Sequence, residues 1–323
     1  MNKRTLLLSS ASAAALWAAA PLNALAQAGG EAAPLRIVLA VPPGGASDAA
    51  ARLLAQALAR SLGQPVLVDN KPGGNGVPAV QAVLTAPPDG RTLLWAMASM
   101  TGMPLIVKSP PVRSMNEFTP VVAVMNVAYG VFVNPKVPAT TVAELTAHLR
   151  ANPDKLSYGT GVLSEYMVTA HYLRSAGLKA VRVPYKGGAQ LVPDLINGEL
   201  QFNIGPLAAT LPHVRSGKLR LLATLPDRLD MLPGVPSLAE AGVATDTVPT
   251  WNGLVAPPGT PQETAARLAQ EVNRALADPT LRAALEGLGL RVLGGTPQQM
   301  AQAIESAGAS WRQFVHDHEI VPE

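Results

Sequence analysis

A strand, a glycine-rich turn and a helix follow one another between Arg36 and Leu58, and this order constrains the fold more than any other stretch. Residues 37–41 form an apolar, β-branched run that predicts a buried strand, and two prolines and two glycines end it. Asp48 is the predicted N-cap of the helix that follows. Such a turn leaves backbone N–H groups unpaired at the positive end of a helix dipole, so it predicts an anion site made from main chain.

The rest of the chain alternates between short apolar runs and amphipathic helices. Further strands are predicted at 65–69, 92–98, 121–125, 127–133, 156–160, 181–185, 200–204, 219–225 and 251–256. Helices are predicted in the gaps, including one with a Thr141–Glu144 capping box and two long ones at 262–277 and 297–314.

This alternation predicts an α/β fold with mainly parallel sheets. One long doubly wound sheet is the alternative, but the number of strands is high for a single sheet and favours two lobes. The chain is expected to cross between the lobes within 118–133 and again at 248–251.

The first 26 residues are predicted to be a secretory signal peptide. Lys3 and Arg4 precede an apolar stretch at 6–20, and small residues at 24–26 mark cleavage after Ala26. A transmembrane anchor is the alternative, but serines interrupt the stretch and no span of about 20 apolar residues follows. A periplasmic location is therefore expected.

Charge and cysteine content exclude several classes of protein. Residues 1–26 contain two basic residues and no acid, so without them the formal charge falls from +3 to +1. A nearly neutral protein has no electrostatic basis for binding nucleic acid or an anionic membrane. The chain has no cysteine, which excludes disulfides and thiol chemistry. The residues after position 26 are enough for a large core in one or two domains.

Three more strand ends carry glycine, serine or threonine. The turns at 70–76 and 158–164 each follow a strand and precede a helix, and Ser99 follows the strand at 92–98. Ligands of open α/β sheets bind outside the carboxyl ends of strands, so four such ends predict a shared cleft. Residues 74–79 match the dinucleotide pattern G-x-G-x-x-A, but the end of the next strand lacks the acid that such a site requires.

Few residues form a pattern typical of a catalytic or metal site. The chain contains neither G-x-S-x-G nor H-E-x-x-H. Residues 316–319 could bind a metal, although a solvated tail is the preferred interpretation. Asp48 is the acid that we place in the cleft, with no base beside it. Ser164 can be a helix cap, a ligand contact or both. No cofactor and no metal are expected.

Six motifs occur in an order that resembles a known family. They are P-P-G-G-x-x-D-x-x-A-R (42–52), N-K-P-G-G-x-G (70–76), V-P-Y-K-G-G (183–188), L-P-H-x-x-x-G-K-L-R (211–220), L-P-G-V-P-S-L-A-E-A-G (232–242) and W-x-G-L-x-A-P-x-G-T-P (251–261). This order resembles the Bug family, the TctC-like extracytoplasmic solute receptors of tripartite tricarboxylate transporters.

The resemblance implies a two-lobed periplasmic-binding-protein fold of type II-like form, with each lobe a mainly parallel sheet flanked by helices and a hinge between them. Lobe 1 is expected at 27–128 and 250–323, and lobe 2 at 129–249. The implied ligand is a small carboxylate held largely by backbone N–H groups and hydroxyls. The contacts carried over by position are Gly44, Gly45, Ala46, Ser47, Asp48, Ser99, Thr160, Gly161, Ser164, Tyr185, Gly205 and Pro206.

Three positions depart from the family pattern. Val41 stands where the family often has an aromatic residue, and Leu163 where it often has glycine. Gly205 stands where members that bind amino acids place an aspartate. A ligand ammonium group would then lack a carboxylate partner, so we expect a ligand without a compensating positive charge.

The resulting expectation is a monomeric periplasmic receptor, without catalysis, that delivers a small carboxylate to membrane transporter subunits. A receptor of the same fold that signals to a sensor protein is one alternative. An enzyme that processes a carboxylate in the same cleft is another, and it would require an acid and a base placed side by side.

Overall fold

Two β-sheets with helices packed against them make up the part of the chain that the structure describes. The computed structural model describes residues 33–229, 231–243, 249–320 and 322. The predicted signal peptide lies outside these residues. The strands of the first sheet are β1 (Leu35–Leu39), β2 (Val66–Asn70), β3 (Thr92–Met97), β4 (Thr119–Val127), β10 (Trp251–Ala256) and β11 (Leu290–Val292). Those of the second are β5 (Tyr129–Val133), β6 (Ser157–Thr160), β7 (Val181–Pro184), β8 (Phe202–Pro206) and β9 (Arg220–Leu225).

The helices follow most of the strands, as the alternation predicts. They are α1 (Ala46–Leu62), α2 (Val77–Leu84), α3 (Met103–Ile106), α4 (Val142–Ala151), α5 (Leu163–Ser175), α6 (Gly188–Asn197), α7 (Leu207–Arg215), α8 (Gln262–Leu276), α9 (Pro279–Gly287) and α10 (Pro297–Asp317). Within the described ranges, none of these helices has the length and apolar character needed to span a membrane.

The first sheet has the order β11-β4-β10-β3-β1-β2. Its strands β1, β2, β3 and β4 run in one direction, while β10 and β11 run in the other. The second sheet has the order β7-β6-β8-β5-β9, and β5 alone among its described strands is reversed. Both sheets are therefore mixed: most strands share one direction, but a reversed strand in the interior of each makes the pairings on both of its sides antiparallel. The alternative of one long sheet is wrong.

The reversed strands mark where the chain passes between the sheets. β4 ends at Val127 in the first sheet and β5 begins at Tyr129 in the second, so one residue separates them. The chain is back in the first sheet at β10. We call the body around the first sheet lobe 1 and the body around the second lobe 2. Boundaries at 128/129 and 249/250 remain our proposal, and residues 27–32 and 244–248 lie outside the described part.

Alternation along the strands explains why each sheet is covered on both faces. On β1, Ile37 and Leu39 pack in the cluster that contains α1 and α8, whereas Val38 packs in the cluster that contains α2 and α10. Successive strand side chains point to opposite faces, so a strand that is apolar throughout needs a helix layer on each side. The continuous apolar run at 37–41 therefore indicated the layered fold.

The C-terminal segment differs from the prediction in detail. The helices expected at 262–277 and 297–314 are present as α8 and α10, with α10 reaching Asp317. α9 and β11 were not predicted, because both are short and lie between two strong helical patterns. β11 pairs with β4 and thereby forms one edge of the first sheet.

Trp311 of α10 packs on a glycine, and this contact holds the C-terminal helix to lobe 1. A Cβ placed on Gly102 would lie 2.3 Å from the Trp311 ring, which is 1% exposed. Gly102 has φ −83° and ψ −21°, so alanine fits its backbone and the conflict is one of space alone.

We predict that Gly102→Ala lowers the free energy of unfolding by about 1–3 kcal/mol, because the added methyl group overpacks the core beside Trp311. Urea denaturation measures this change. Gly287→Ala is the control, since a Cβ at Gly287 meets no heavy atom within 4 Å. Equal stability of the two variants would contradict this account of the α10 contact.

Candidate functional site

The two lobes enclose a cavity at the carboxyl ends of their parallel strands. Its volume is about 760 Å³ including the mouth to solvent. Lobe 1 contributes the turn before α1, the end of β3 and the start of β10, and lobe 2 contributes the starts of α5, α6 and α7. The predicted site residues that line it are Gly45, Ala46, Ser47, Ser99, Ser164 and Pro206.

A second cavity of about 570 Å³ lies beside the first and shares Met97, Ser99 and Val162 with it. It is lined by the predicted residues Gly161 and Tyr185, and also by the glycine-rich turn at 73–76. All four strand-end turns that the sequence indicated therefore contribute residues to these two adjoining cavities. Four predicted contacts line neither cavity: Gly44, Asp48, Thr160 and Gly205.

The N-terminus of α1 presents backbone donors to the main cavity. The N-cap is Gly45, not Asp48 as predicted. The N–H groups of Gly45, Ala46 and Ser47 find no acceptor among the described residues, while that of Ala49 donates to Gly45 O. These free donors and the dipole of a 17-residue helix favour an anion at this place. The free N–H groups that the sequence predicted for the first turn are therefore present, and their binding of an anion stays a prediction.

Asp48 stabilises this turn from the side that faces away from the cavity. Its carboxylate accepts hydrogen bonds from Gly44 N (3.0 Å), Arg52 Nε (3.1 Å) and Asn70 Nδ2 (2.9 Å). Asn70 Nδ2 also donates to Val41 O at 3.0 Å, so the network joins β1, α1 and the end of β2. Gly44 has φ +96°, a conformation that favours glycine and lets the turn curl back onto the carboxylate. The expectation that Asp48 faces the ligand is corrected, because these partners occupy its oxygens on the far side of the turn.

Opposing effects set the protonation of Asp48. Burial raises its pKa, but hydrogen bonds from Arg52, Gly44 N–H and Asn70, with the charge of Arg52, outweigh burial and leave the pKa below its ordinary value. Asp48 is therefore ionised at neutral pH and is not a candidate proton carrier.

Thr160 and Tyr185 are likewise held by partners in lobe 2. The Thr160 hydroxyl accepts a hydrogen bond from Arg182 Nε (3.0 Å), and the Tyr185 hydroxyl donates to Asp194 Oδ2 (2.5 Å). Thr160 is 3% exposed and contributes to the strand end from inside. Tyr185 still presents its ring to the second cavity.

The N-terminus of α5 differs from the prediction, because the protein itself occupies the N–H groups of Gly161 and Val162, although those of Leu163 and Ser164 find no acceptor among the described residues. Glu165 Oε2 accepts the N–H of Gly161 in a short hydrogen bond and that of Val162 at 3.3 Å. The expected anion site of this turn therefore contains the carboxyl group of Glu165. Gly161 is required here by close approach, since a Cβ on it would lie 2.1 Å from Gly188 N.

Glu165 itself is wholly buried and lines the main cavity, and the sequence analysis did not place it there. Its other oxygen, Oε1, has no hydrogen-bond partner in the part of the chain that the structure describes. Burial raises the pKa of Glu165 to about 7, although the Gly161 and Val162 N–H groups act against this shift. An S/T-x-x-E capping signature would have indicated it, but position 162 is valine.

Gly205 lies beside this carboxyl group. A Cβ on Gly205 would lie 2.9 Å from Glu165 Oε1 and 2.6 Å from Asn203 Oδ1. Glycine at position 205 predicts that a ligand cation finds no carboxylate at this place. That premise is wrong, because Glu165 brings a carboxyl group to the same place from α5.

Ser164 shares a 2.6 Å hydrogen bond with the hydroxyl of Tyr129. It is not the helix cap, because the N-cap of α5 is Val162. Burial, and then the nearby Glu165 carboxyl group, raise the pKa of Tyr129 above its ordinary range, so its hydroxyl stays protonated. Ser164 and Tyr129 thus form a neutral pair of hydroxyls on the lobe 2 side of the cavity.

Residues from β10 complete the lobe 1 wall, although only their strand was predicted from the sequence. Asn252 Oδ1 accepts hydrogen bonds from Trp95 Nε1 (2.9 Å) and Ser47 Oγ (2.7 Å), which fixes the start of α1 to the sheet. Trp251 lines the cavity, and its buried Nε1–H has no partner among the described residues.

Gly187 of lobe 2 meets Pro42 of lobe 1 at the edge of the cavity. A Cβ on Gly187 of lobe 2 would lie 2.7 Å from Pro42 Cδ of lobe 1, so the two backbones meet here only because position 187 carries no side chain. Both residues line the main cavity. The lobes are therefore closed against each other at this edge.

Comparison with known proteins places this geometry in a family. Residues 50–320 match the model of the tripartite tricarboxylate transporter family receptor. The protein BugT of Bordetella pertussis is 32% identical over 290 residues, which cover 88% of this chain and 89% of BugT.

Three solved structures are similar over nearly their whole length. The periplasmic binding protein BugD has a TM-score of 0.84 and 26% identity, covering 90% of this chain and 99% of BugD. An R. palustris protein determined with adipate has a TM-score of 0.85 and 30% identity, covering 90% and 98%. MatC from Rhodopseudomonas palustris, with bound malate, has a TM-score of 0.81 and 26% identity, covering 88% and 99%.

The Asp48 network generates a prediction about stability. We predict that Asp48→Asn lowers the free energy of unfolding at pH 7 by about 1–3 kcal/mol, because the charge-assisted bond to Arg52 is lost and the turn loses an acceptor. The folded-state pKa of Asp48 is lowered, so its contribution is present above the unfolded pKa and is lost as the pH falls through the folded pKa. The difference between wild type and variant should therefore shrink in acid, below about pH 4.

Urea denaturation at several pH values measures this difference. Asp89→Asn is the control, since Asp89 is an exposed turn residue that accepts one backbone hydrogen bond from Arg91. A stability difference between wild type and Asp48→Asn that does not change with pH would contradict the ionic role of Asp48.

Proposed function

Because this chain belongs to the tripartite tricarboxylate transporter family of receptors, we propose that it is a periplasmic solute-binding protein that captures a small carboxylate between its lobes and delivers it to the membrane subunits of such a transporter. The free backbone donors at the start of α1, inside a cavity bounded by both lobes, are the observation that carries this proposal.

The chemistry of the cavity supports an anion held by main chain. None of the described residues that line it is lysine or arginine. Helix N-terminal N–H groups bind carboxylates without a cation, and their hydrogen bonds strengthen where water is excluded. Ser47 and Ser99 add hydroxyl groups beside these donors. The adipate and malate bound by two similar proteins support the same ligand class.

Closure of the lobes gives the transporter a signal to recognise. A ligand that contacts both walls of the cavity stabilises the closed arrangement over an open one, which is a shift of population. The Gly187–Pro42 contact supports this part of the proposal, because it forms only when the lobes meet.

The proposal includes no catalytic step and a monomeric protein. Glu165 and Tyr129 are the titratable side chains among the described residues of the main cavity, and Tyr129 stays protonated. Glu165 is then the one group of this described lining that exchanges a proton near neutral pH, which supports binding without catalysis. Turnover of a bound carboxylate, followed by NMR, would contradict the proposal, and light scattering tests the monomer.

We predict that a binding carboxylate raises the melting temperature of the protein freed of ligand. Saturation at about one hundred times the dissociation constant adds about 2.7 kcal/mol to the free energy of unfolding. Differential scanning fluorimetry over a panel of mono- and dicarboxylates, with the matching uncharged amides as controls, measures the shift. No shift with any carboxylate would contradict the proposed function.

We predict that Gly187→Ala weakens ligand binding about tenfold or more without lowering the stability of the ligand-free protein. Its φ of 179° is extended backbone that alanine adopts, so the added methyl group acts only against Pro42 and opposes closure. Calorimetric titration with a carboxylate from the panel measures the affinity.

Gly234→Ala is the matched control, because position 234 is exposed and a Cβ there meets no heavy atom within 4 Å. Unchanged affinity in Gly187→Ala would mean that binding does not require this edge of the cavity to close.

A further inference from the structure

The carboxyl group of Glu165 is buried in the main cavity with only one of its two oxygens hydrogen-bonded. The residue is 0% exposed. Oε2 accepts the N–H groups of Gly161 and Val162, whereas Oε1 finds no partner among the described residues. A buried carboxylate oxygen without a donor is costly, so its retention in a cavity wall calls for a partner from outside the chain.

Two other acids show that helix capping alone does not explain this arrangement. Asp48, Glu144 and Glu165 are each the third residue of a helix, and each accepts the N–H of the residue four positions earlier. Glu144 is exposed to water, and Asp48 has Arg52 and Asn70 as further partners. Glu165 shares the capping bond, but its carboxyl group is buried away from solvent, and its Oε1 has no partner among the described residues.

The two walls of the cavity differ in hydrogen-bonding character. The lobe 1 wall offers donors, namely the α1 N-terminal N–H groups and the Trp251 Nε1–H. The lobe 2 wall also carries a free N–H group, that of Ser164, but beside Gly205 it adds acceptors. Asn203 donates its Nδ2 to Gly159 O at 2.9 Å, which leaves Oδ1 as the acceptor, and Glu165 Oε1 lies on the other side of the same space.

We propose that Glu165 selects the ligand: it fills the lobe 2 anion site with the protein's own carboxyl group and presents Oε1 to a hydrogen-bond donor of the ligand. This inference rests on the proposed function. The ligand class is a carboxylate whose far end carries an N–H or O–H donor, with the carboxylate at the start of α1 and the donor at Glu165.

A dicarboxylate fits this cavity less well. Its second carboxylate would meet Glu165, and the described lining residues offer no cation to balance two negative groups. An ammonium, amide or hydroxyl group at that end supplies the donor that Oε1 lacks. All three groups are hydrogen-bond donors, and the choice of probes distinguishes them.

Protonation gives the interaction a second signature. Burial raises the pKa of Glu165 to about 7, so near neutral pH part of the protein carries a proton there. A donor ligand stabilises the ionised form, releases that proton and binds more tightly as the pH rises through 7. A carboxylate at Oε1 would do the reverse.

Few other groups near Glu165 can contribute to this signature. Tyr129 on β5 is the other titratable side chain among the described residues of the main cavity, while α6 and β8 face Glu165 with Gly188 and Gly205. Tyr185 and Lys186 line the adjoining cavity. Tyr129 has its pKa far above neutrality, so it does not titrate near pH 7.

The test uses probes of one length that differ only at one end: adipate, adipic monoamide, 5-aminopentanoate and 5-hydroxypentanoate. Calorimetric titration gives the affinity of the wild-type protein for each. A shorter series, built in the same way on succinate and including 3-aminopropanoate as its amine, is measured in parallel. We expect at least one donor-bearing probe to bind about tenfold or more tightly than the dicarboxylate of its series.

Titration in phosphate and in Tris at pH 7 measures the proton released, because the two buffers differ in ionisation enthalpy. Proton release with the best donor probe is the expected result. Proton uptake with that probe would overturn the proposal even if every variant failed to fold.

Glu165→Gln keeps an oxygen for the Gly161 and Val162 N–H groups and puts an NH2 donor in place of Oε1. We expect it to reverse the order of preference, with the dicarboxylate gaining and the donor probe losing about tenfold. Glu144→Gln is the matched control, since it changes the same capping position on α4 away from the cavity. It should leave every affinity unchanged.

The outcomes separate this inference from the proposed function. Tight dicarboxylate binding whose order is the same in wild type and Glu165→Gln would overturn the inference and leave the carboxylate receptor standing. Binding of no probe and of no carboxylate in the wider panel would overturn both.

Discussion

Backbone N–H groups at the start of a helix need acceptors, and the way each helix start around the cleft meets this need determines the site. Asp48 takes the Gly44 N–H and holds the turn, but it leaves the next three donors free inside the cavity. Glu165 takes the donors of Gly161 and Val162 and leaves one of its own oxygens free instead. The same local device thus leaves only free donors at the start of α1 and adds a free acceptor at the start of α5.

The positions of the strand-end turns could be predicted from the sequence, because each follows an apolar run and contains glycine, serine or threonine. Parallel strands bring such turns to one edge of each sheet, and Ser99 and Gly161 line the same cavity because the two sheets meet there with these edges. The roles of single side chains could not be predicted in this way. Asp48 has a partner 22 residues away in Asn70, and the cap that Glu165 forms lacks the usual signature because Val162 has no side-chain oxygen.

Glycines, which have no side chain, shape the cleft as much as the side chains that line it. Gly161 lets the α5 turn lie directly against Gly188, and Gly205 leaves the room in which the Glu165 carboxyl group lies. Gly187 brings the lobes into contact at Pro42. These glycines belong to separate turns, so the space they create is visible only once the turns are brought together.

The position of β10 in its sheet has a consequence for how lobe 1 is completed. β10 lies between β3 and β4, and the hydrogen bond from Trp95 to Asn252 joins residues 157 positions apart. All of lobe 2 lies between β4 and β10 in the sequence, so no strand joins β3 to β4 until the chain returns to lobe 1. Lobe 2 can form from one continuous segment, whereas lobe 1 depends on closing a very long loop, which is slow. We therefore expect the wall that contains Trp251 and Asn252 to be the last wall of the binding cavity to form.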